Sequence, residues 1–518
     1  MLVLIGIRFL LVFKHNLYCE YHIFLPLMSR PYYPSLYQIN TRVWLQALSQ
    51  DLGCPATLDH VPDYLLDTWA KAGFNWLWCL SVWQTSPTSQ EVSRAFPAWQ
   101  SEFQAVLPDL ETEDICGSGF AIQAYDVAPK LGGNVALQRF RQRLNDRGLK
   151  LMLDFVPNHT GLDHPWLQTH PEYFISGTES DLANQPKNYY RLPDASGGGI
   201  YAYGRDPYFA DWPDTLQLNY TEPGLVAAMT EELVKISALC DGVRCDVAML
   251  VLPDVFALTW GRAAQSFWPE AIAKVQAAQP GFCFLAEVYW DLEWRLHEAG
   301  FDYTYDKQLY DRLRSHQVAP VREHLSREVK FHNQAVRFLE NHDEQRAAVT
   351  FSFEVHQAAA IITYLTPGLR FFYDGQLQGY PHRISPHLGR QPQTPVNASI
   401  EAFYQQLLTV LQQNILRTGT WEFLTCRPAW SENGSWANFL AWAWTDEKNW
   451  LLVVVNYAPY ASQCYVDLPW PELAGESWWL QDQLSAAGYE RQGDELRQRG
   501  LYLDIPAWGY HLFEFGQV

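Results

Sequence analysis

Two acidic residues at the ends of apolar runs could form a catalytic pair of carboxylates. In the first run, Gly242–Asp246, an arginine stands two residues before an aspartate. Side chains two residues apart on a β-strand point to the same face. The Arg244 guanidinium would therefore hold Asp246 ionised and lower its pKa, as a carboxylate nucleophile requires. An isolated Arg-x-Asp pattern is more often a structural ion pair, so the interpretation depends on the rest of the chain.

Three further apolar runs also end in polar residues. They are Leu151–His159, which carries Asp154, Asn158 and His159; Phe284–Trp290, which carries Glu287; and Phe338–Asp343, which carries His342 and Asp343. Polar residues at the C-terminal ends of several parallel strands are typical of the active site of a β/α barrel. Together the four runs favour a catalytic site over unrelated ion pairs.

In this order, the four segments resemble the four signature regions of the α-amylase family, glycoside hydrolase family 13, and the similarity extends from about Tyr37 to the C-terminus. The resemblance implies that Asp246 is the nucleophile and Glu287 the acid/base. Asp343 would be the third carboxylate, which binds sugar hydroxyls and stabilises the oxocarbenium-like state. Retaining glycosidases place the first two carboxyl groups about 5–5.5 Å apart. Because Glu287 follows three apolar residues, we expect burial to raise its pKa and keep it protonated.

The resemblance also assigns residues to sugar binding. Phe120 matches a ring that stacks on the sugar, although family members often carry tyrosine there. Exo-acting α-glucosidases place an aspartate where this chain has Gly117, which weighs against an exo-glucosidase. Asp154 is expected to bond toward Arg244. The predicted sugar-binding set is His159, Arg244, His342, Phe120, Tyr125 and Asp154.

The metal prediction is negative, with one candidate ligand. Asn158 matches a calcium ligand of many amylases. Met249-Leu250 stands where many amylases have Lys-His, and Gln217 replaces the usual aspartate of a fifth family region. The Asp-x-Asn-x-Asp-Gly calcium loop of some relatives is not visible. We therefore predict that no cofactor is required, with calcium at Asn158 as the alternative.

Alternating strand-like and helix-like segments favour a parallel α/β architecture, and the resemblance implies a (β/α)8 barrel. We expect eight barrel strands, at Tyr37–Leu45, Asn75–Val82, Leu151–Val156, Gly242–Asp246, Phe282–Val288, Asp302–Tyr305, Ala335–Glu340 and Arg370–Tyr373.

The predicted domains are a barrel over residues 31–159 and 220–417, a small excursion domain over 160–219 after the third strand, and a C-terminal β-sandwich over 418–518. We interpret residues 1–30 as an N-terminal extension, of which residues 1–27 precede the true start. Met28 is a second methionine, and family-like sequence begins only after it. A poor signal sequence is the alternative interpretation of this segment.

Composition excludes several classes of function. The net charge of −20 disfavours nucleic acid, whose phosphates require a basic surface. The apolar stretches near the N-terminus are too short to span a membrane, so no membrane partner is expected. The nine cysteines contain no Cys-x-x-Cys pair, which argues against a zinc site or a disulfide framework and favours the reducing cytoplasm.

These observations predict a retaining glycoside hydrolase that acts on an oligomeric or polymeric α-glucan by double displacement. Transglycosylation through the same covalent intermediate is the alternative, because exclusion of water from the acceptor site decides between the two. A catalytically inactive barrel that serves as a binding subunit is a further alternative, which the presence of all three carboxylates disfavours.

Overall fold

The computed structural model describes residues 32–193 and 198–518, and its central feature is a closed barrel of parallel strands. Eight strands of the described chain form the barrel, and they are numbered here barrel strands 1 to 8 in chain order: Ser35–Asn40, Trp76–Leu80, Lys150–Phe155, Gly242–Cys245, Cys283–Ala286, Tyr303–Tyr305, Ala335–Arg337 and Leu369–Tyr373. Strand 1 pairs with strand 2 on one side and strand 8 on the other, which closes the ring. The predicted barrel is confirmed, while the proposed N-terminal extension lies outside the described residues.

The first predicted strand extends five residues too far at its C-terminal end. The strand ends at Asn40, and Thr41–Leu52 forms a helix that buries Val43, Leu45 and Leu48. Gly53, with φ of 66°, ends this helix in the left-handed conformation that glycine adopts at little cost. The apolar residues after Asn40 suit a strand or a helix locally, and packing against the barrel decides between them.

Helices follow most barrel strands and cover the barrel. Pro223–Ser237 illustrates why they form: proline occupies the first turn, and Leu225, Met229, Leu233 and Ile236 recur on one buried face. No helix within the two described ranges is long and apolar enough to cross a membrane. The helices are Thr41–Leu52, Asp63–Lys71, Pro87–Ala95, Pro97–Val106, Gly133–Asn145, Trp166–Thr169, Glu179–Asn184, Pro223–Ser237, Pro253–Trp260, Trp268–Ala278, Glu293–Glu298, Lys307–Arg314, Val318–Leu325, Val329–Asn333, Ala347–Thr350, Phe353–Tyr364, Ala398–Val410, Asn414–Thr418 and Gly493–Arg499.

Close packing of barrel strands 4 and 5 requires the glycine that begins strand 4. A Cβ on Gly242 would lie 2.8 Å from the Cys283 carbonyl oxygen. The two strands can therefore pair in a register that places Arg244 opposite Leu285. This register brings Asp246 and Glu287, which follow the two strands, to the same end of the barrel.

The long connection between barrel strand 3 and helix Pro223–Ser237 contains a small antiparallel sheet. Its strands, in spatial order, are His159–Gly161, Trp212–Gln217, Ile200–Gly204 and Tyr189–Arg191. Pairing of His159 with Gln217 ties the sheet to the end of barrel strand 3. The sheet thus holds His159 and Trp212 over the mouth of the barrel.

Two antiparallel sheets form the C-terminal region, as predicted. One contains, in spatial order, Thr420–Leu424, Phe439–Thr445, Trp450–Asn456, Tyr510–Gln517, Ser477–Asp482 and Gly488–Gln492. The other contains Cys426–Pro428, Ser462–Val466 and Leu501–Ile505. The indole N–H groups of Trp442 and Trp444 both donate to the Leu365 carbonyl, 2.9 and 2.7 Å away, and so join this region to the barrel.

Candidate active site

A cavity of about 250 Å³ at the C-terminal end of the barrel collects most of the predicted site residues. Asp246, Glu287, Asp343, His159, His342 and Phe120 all line it. A cavity of about 560 Å³ around Arg42 and Arg390 is larger but contains no such set of residues. The chemistry of the side chains that line the smaller cavity, and not the volume of the cavity, identifies the candidate site.

One guanidinium group connects the two central carboxylates. Arg244 donates from Nη1 to Oδ1 of Asp246 at 2.5 Å and from Nη2 to Oε2 of Glu287 at 2.8 Å. The group is fully buried, and its carbon lies 5.3 Å from the centre of the Trp78 ring and 5.4 Å from that of Phe120. Because adjacent nitrogens of a rigid fork hold both carboxylates, these groups stand close together in a fixed orientation.

Two further donors orient Glu287. The Tyr289 hydroxyl donates to Oε1 at 2.7 Å, and the Val247 backbone N–H donates to Oε2 at 2.7 Å. Val247 has φ of 34° and ψ of 49°, a left-handed conformation that is strained for a β-branched residue. The surrounding contacts maintain this strain at the position where the N–H reaches the carboxylate.

Burial dominates the ionisation of both carboxyl groups. It raises the pKa of Glu287 to about 7, against the opposing effect of the Arg244 charge, which matches the expectation for an acid catalyst. Burial also raises the pKa of Asp246, although Arg244 acts to lower it. The prediction that Arg244 leaves Asp246 with a depressed pKa is therefore wrong, because the desolvation of the carboxylate outweighs the neighbouring charge.

His342, Phe120 and Asp343 form another side of the cavity. The Phe120 and His342 rings stack with centres 5.5 Å apart, and His342 Nδ1 hydrogen-bonds with the Gln38 side-chain amide at 3.0 Å. Its Nε2 lies 3.2 Å from Oδ2 of Asp343. Burial lowers the pKa of His342 well below its usual value, with the Arg244 charge adding to the effect. The imidazole is therefore neutral and suited to hydrogen bonding with hydroxyl groups.

His159 enters the cavity from the excursion sheet, with its ring centre 5.0 Å from that of Trp212. Burial lowers the pKa of His159 to about 3, so this imidazole is also neutral. The indole of Trp212 supplies an apolar face beside it. A neutral ring donor next to a flat aromatic surface is well matched to a sugar.

Three predicted sugar-binding residues do not line the cavity. Arg244 lies beneath the carboxylates that it positions. Asp154, which is 1% exposed, accepts hydrogen bonds from Trp78 Nε1 and Ser81 N at 3.2 and 3.3 Å. The Tyr125 hydroxyl exchanges hydrogen bonds with the Val156 backbone and lines a separate cavity of about 410 Å³. The structure thus corrects their role from sugar contact to support of the site.

Other residues of the cavity were not predicted. Tyr289 had a usable signal, because it follows Glu287 by two residues, as side chains on one face of a strand do. Ser118 and Val247 lie within two residues of Phe120 and Asp246. The remaining residues come from loops away from the four motifs: Trp99, Trp212, Asp214, Thr215 and His387.

Asp214 differs from Asp246 and Glu287, which both pair with Arg244, because no cation among the described residues forms an ion pair with its carboxylate. The residue is 3% exposed, and its Oδ2 makes no hydrogen bond. Burial raises its pKa to about 7, opposed only by a backbone hydrogen bond. Between about pH 4 and pH 7, the unfolded chain has released this proton while the folded protein retains it. Stability therefore falls as the pH rises through this range.

We expect Asp214→Asn to stabilise the protein at pH 8 but not at pH 4. At pH 4 the folded protein keeps the carboxyl group protonated and the unfolded chain has released only about half of its protons, so the effect is small. At pH 8 the native protein carries a buried charge that an amide lacks. The gain should reach about 4 kcal/mol at most, from roughly three pKa units. The gain is measured as the difference in unfolding free energy between the variant and the wild type, at pH 4 and at pH 8. An equal difference at the two pH values would contradict the assignment.

Asn158 does not offer an open calcium site. Its backbone and side-chain oxygens each lie 3.0 Å from Nε2 of Gln217, and the Leu218 carbonyl oxygen lies 3.1 Å from the same nitrogen. Three oxygens that could coordinate a cation thus converge on an amide N–H2 group. No group of three or more His, Cys, Asp or Glu residues in the described chain is placed to hold a metal ion. The residues present here do not fit calcium, which prefers six to eight oxygen ligands.

Comparison with protein families gives a match over much of the chain. A family model described as the alpha amylase catalytic domain matches residues 109–422. "Alpha-amylase 3" of Dictyoglomus thermophilum is 25% identical over 279 residues, which cover 49% of this chain and 52% of that protein. "Alpha-amylase MalA" of Haloarcula japonica is 25% identical over 346 residues, which cover 64% of this chain and 46% of that protein. The chain thus spans about half the length of these curated relatives.

Solved structures resemble this fold over nearly the whole chain. A noncanonic maltogenic alpha-amylase, AmyB from Thermotoga neapolitana, superposes with a TM-score of 0.65 at 16% identity, covering 93% of this chain and 98% of that one. An alpha-amylase from Lactobacillus plantarum gives a TM-score of 0.65 at 19% identity, covering 93% and 99%. At such identities the likeness concerns the fold alone.

Proposed function

Because this chain belongs to the α-amylase family of glycoside hydrolases, we propose that it cleaves α-glucosidic bonds of an oligomeric or polymeric α-glucan with retention of configuration. The observation that carries the proposal is the Arg244 guanidinium, which holds Asp246 and Glu287 side by side beneath a cavity that also contains Asp343. Two carboxylates on adjacent nitrogens of one fork suit the separation of about 5–5.5 Å of retaining enzymes, and not the about 6.5–9.5 Å of inverting ones.

The proposed reaction is a double displacement. An oxygen of Asp246 attacks the anomeric carbon while the bond to the bridging oxygen breaks, and Glu287 transfers its proton to that oxygen. Water then attacks the same carbon, and Glu287 accepts the proton of the water as the ester to Asp246 breaks. Asp343, His342 and His159 bind hydroxyls of the sugar during both steps, and Phe120 packs against its apolar face.

Two measurements test this proposal. A 5-fluoro α-glucosyl fluoride should inactivate the enzyme, and mass spectrometry should find the sugar on the peptide that contains Asp246. NMR spectroscopy of the first product released from an α-glucan should show the α-anomer. A β-anomer would establish inversion and overturn the mechanism.

The pKa of Glu287 predicts the pH profile. Because the first step requires a protonated Glu287, kcat/KM should fall as the pH rises through about 7. The Tyr289 hydroxyl stabilises the ionised carboxylate, so Tyr289→Phe should move this fall to higher pH. Initial rates from pH 4 to 10 measure both profiles. An unmoved alkaline limb in the variant would assign the titration to another group.

We also propose that the enzyme requires no calcium, since the Gln217 amide occupies the point at which the oxygens of Asn158 and Leu218 converge. EDTA and added calcium should both leave the Tm of the wild type unchanged. Gln217→Glu keeps the length of the side chain but places a carboxylate among these oxygens. The variant should lose thermal stability and recover it when calcium is added. A drop in the wild-type Tm with EDTA, reversed by calcium, would contradict this proposal.

Transfer to a sugar acceptor is a second candidate, favoured by an aromatic pair near Glu287. Tyr208 is 61% exposed, and its ring packs edge-on against Trp290 with centres 4.8 Å apart. Trp290 follows Glu287 by three residues, so we place the pair on the side where an acceptor sugar would enter. Product analysis with excess maltose distinguishes the two, because transfer yields elongated oligosaccharides and hydrolysis does not.

The cytoplasm remains the compartment that we propose. The eight cysteines within the described ranges are all free thiols, which suits a reducing environment. Immunodetection in fractions of the native cells would test this location, and enrichment outside the cytoplasmic fraction would overturn it.

A further inference from the structure

Two loops at one end of the cavity are joined through their backbones. Residues 87–118 follow barrel strand 2, and residues 381–397 follow barrel strand 8. Ile115 and Leu388 form an antiparallel bridge, the Cys116 N–H donates to the His387 carbonyl at 2.9 Å, and the Gly389 N–H donates to the Asp114 carbonyl at 2.8 Å. We call this joined pair of loops the wall.

Side chains make the wall a rigid unit. The rings of Trp99 and His387 meet with centres 4.5 Å apart, and Arg390 pairs with Asp114 at 2.7 Å. Arg383 pairs with Glu102. A separate hydrophobic core beneath these contacts contains Val43, Phe103, Leu107, Ile115, Ile384 and Leu388. Loops with their own buried core and ion pairs on both sides are a packed structure and not an open lid.

The order of strands in the barrel places the wall. Strands 2 and 8 both neighbour strand 1. Strand 1 leads directly into a helix at Thr41 and has no long loop of its own. The longer loops that follow strands 2 and 8 therefore meet above strand 1. Strand 5, which carries Glu287 at its end, is four places from strand 1 in either direction around the eight-stranded ring. The wall therefore faces Glu287 across the mouth of the barrel.

This position determines which part of a bound chain meets the wall. Glu287 protonates the bridging oxygen, so the departing part of the glucan leaves on its side of the cavity. The sugar transferred to Asp246, and any units attached to its non-reducing end, extend in the opposite direction. Trp99 and His387 line the cavity there. The volume of about 250 Å³ is below the roughly 300–1,000 Å³ of pockets for drug-sized ligands.

We infer that the wall closes the donor side of the cleft, so that this enzyme removes short units from the non-reducing ends of α-glucans and does not cut within chains. The inference rests on the proposed function and specifies its substrate. Exo-acting α-glucosidases carry an aspartate at the position of Gly117, whereas the barrier to longer donor chains that we assign here is the wall.

A substrate with a blocked end tests this inference. Maltoheptaose with a 4,6-O-benzylidene group on its non-reducing glucose can be cut internally but not by an enzyme that requires a free end. Chromatography should show rapid shortening of plain maltoheptaose and turnover of the blocked form at least about 100-fold slower, because the added group clashes with the wall. Equal rates on the two would overturn the inference and leave the proposed function standing. No cleavage of either would overturn both.

A variant that opens the wall provides a second test of the inference. The double variant Trp99→Ala, His387→Ala should raise the ratio of blocked to unblocked rates at least about tenfold by removing that clash. Trp430→Ala, which removes an exposed ring from the C-terminal region, should leave the ratio unchanged. A folded double variant with the wild-type ratio would overturn the assignment of the barrier to Trp99 and His387. If the double variant fails to fold, the rates of the wild-type enzyme on plain and blocked maltoheptaose still test the inference.

Discussion

Asp246→Asn is expected to lower kcat on an α-glucan by about 10⁴-fold or more, by comparison with the removal of other catalytic groups. An amide cannot form the glycosyl ester, so the first displacement is lost. The asparagine keeps the shape of the side chain, and its carbonyl oxygen can still accept the hydrogen bond from Nη1 of Arg244. The fold should therefore persist, which circular dichroism and the Tm would verify.

Asp254 provides a matched control. It is an aspartate at the surface, paired with Arg295, and it does not line the cavity. Asp254→Asn makes the same chemical change and should retain activity. Near-wild-type turnover by Asp246→Asn would show that another group is the nucleophile, whereas equal losses in the two variants would point to a general effect on folding.

Glu287→Gln is expected to reduce turnover of maltooligosaccharides by about 10³-fold, a loss typical of general acid–base catalysis. The loss should depend on the leaving group. α-Glucosyl fluoride needs little protonation when its bond breaks, so formation of the Asp246 ester from this substrate should be nearly unaffected. The second step lacks its base, and the ester should accumulate as a burst in rapid-quench experiments.

Azide makes the test of Glu287 specific. This small anion needs no general base, so it should attack the accumulated ester and yield a glucosyl azide of α-configuration. Recovery of turnover with azide, and the anomer identified by NMR, would establish that Glu287 serves both steps. A uniform loss across leaving groups without rescue would assign the acid/base role elsewhere.

Much of the architecture was predictable because it depends on short-range patterns. Most barrel strands are short and largely apolar, and side chains two residues apart share a face. Arg244 and Asp246 could therefore be paired from the sequence. Polar residues that follow parallel strands gather at one end of a barrel, which is why Asp246, Glu287 and Asp343 were expected together. The boundary of strand 1 was wrong because its local pattern suits strand and helix alike.

Other properties depended on contacts between residues far apart in the chain. The pKa of Asp246 is raised because burial, a property of the whole site, outweighs the neighbouring Arg244. Tyr125 and Asp154 have the right positions in the sequence for the cavity, yet their side chains point elsewhere.

Only the tertiary structure revealed the wall and the environment of Gln217. Trp99 and His387 are nearly three hundred positions apart in the sequence, and their contact arises because strands 2 and 8 become neighbours of strand 1 when the barrel closes. The oxygens around the Gln217 amide likewise come from segments that meet only in the folded excursion sheet. Periodicity determines which face of an element a side chain occupies, but the closure of the barrel and the packing of its loops determine which side chains meet.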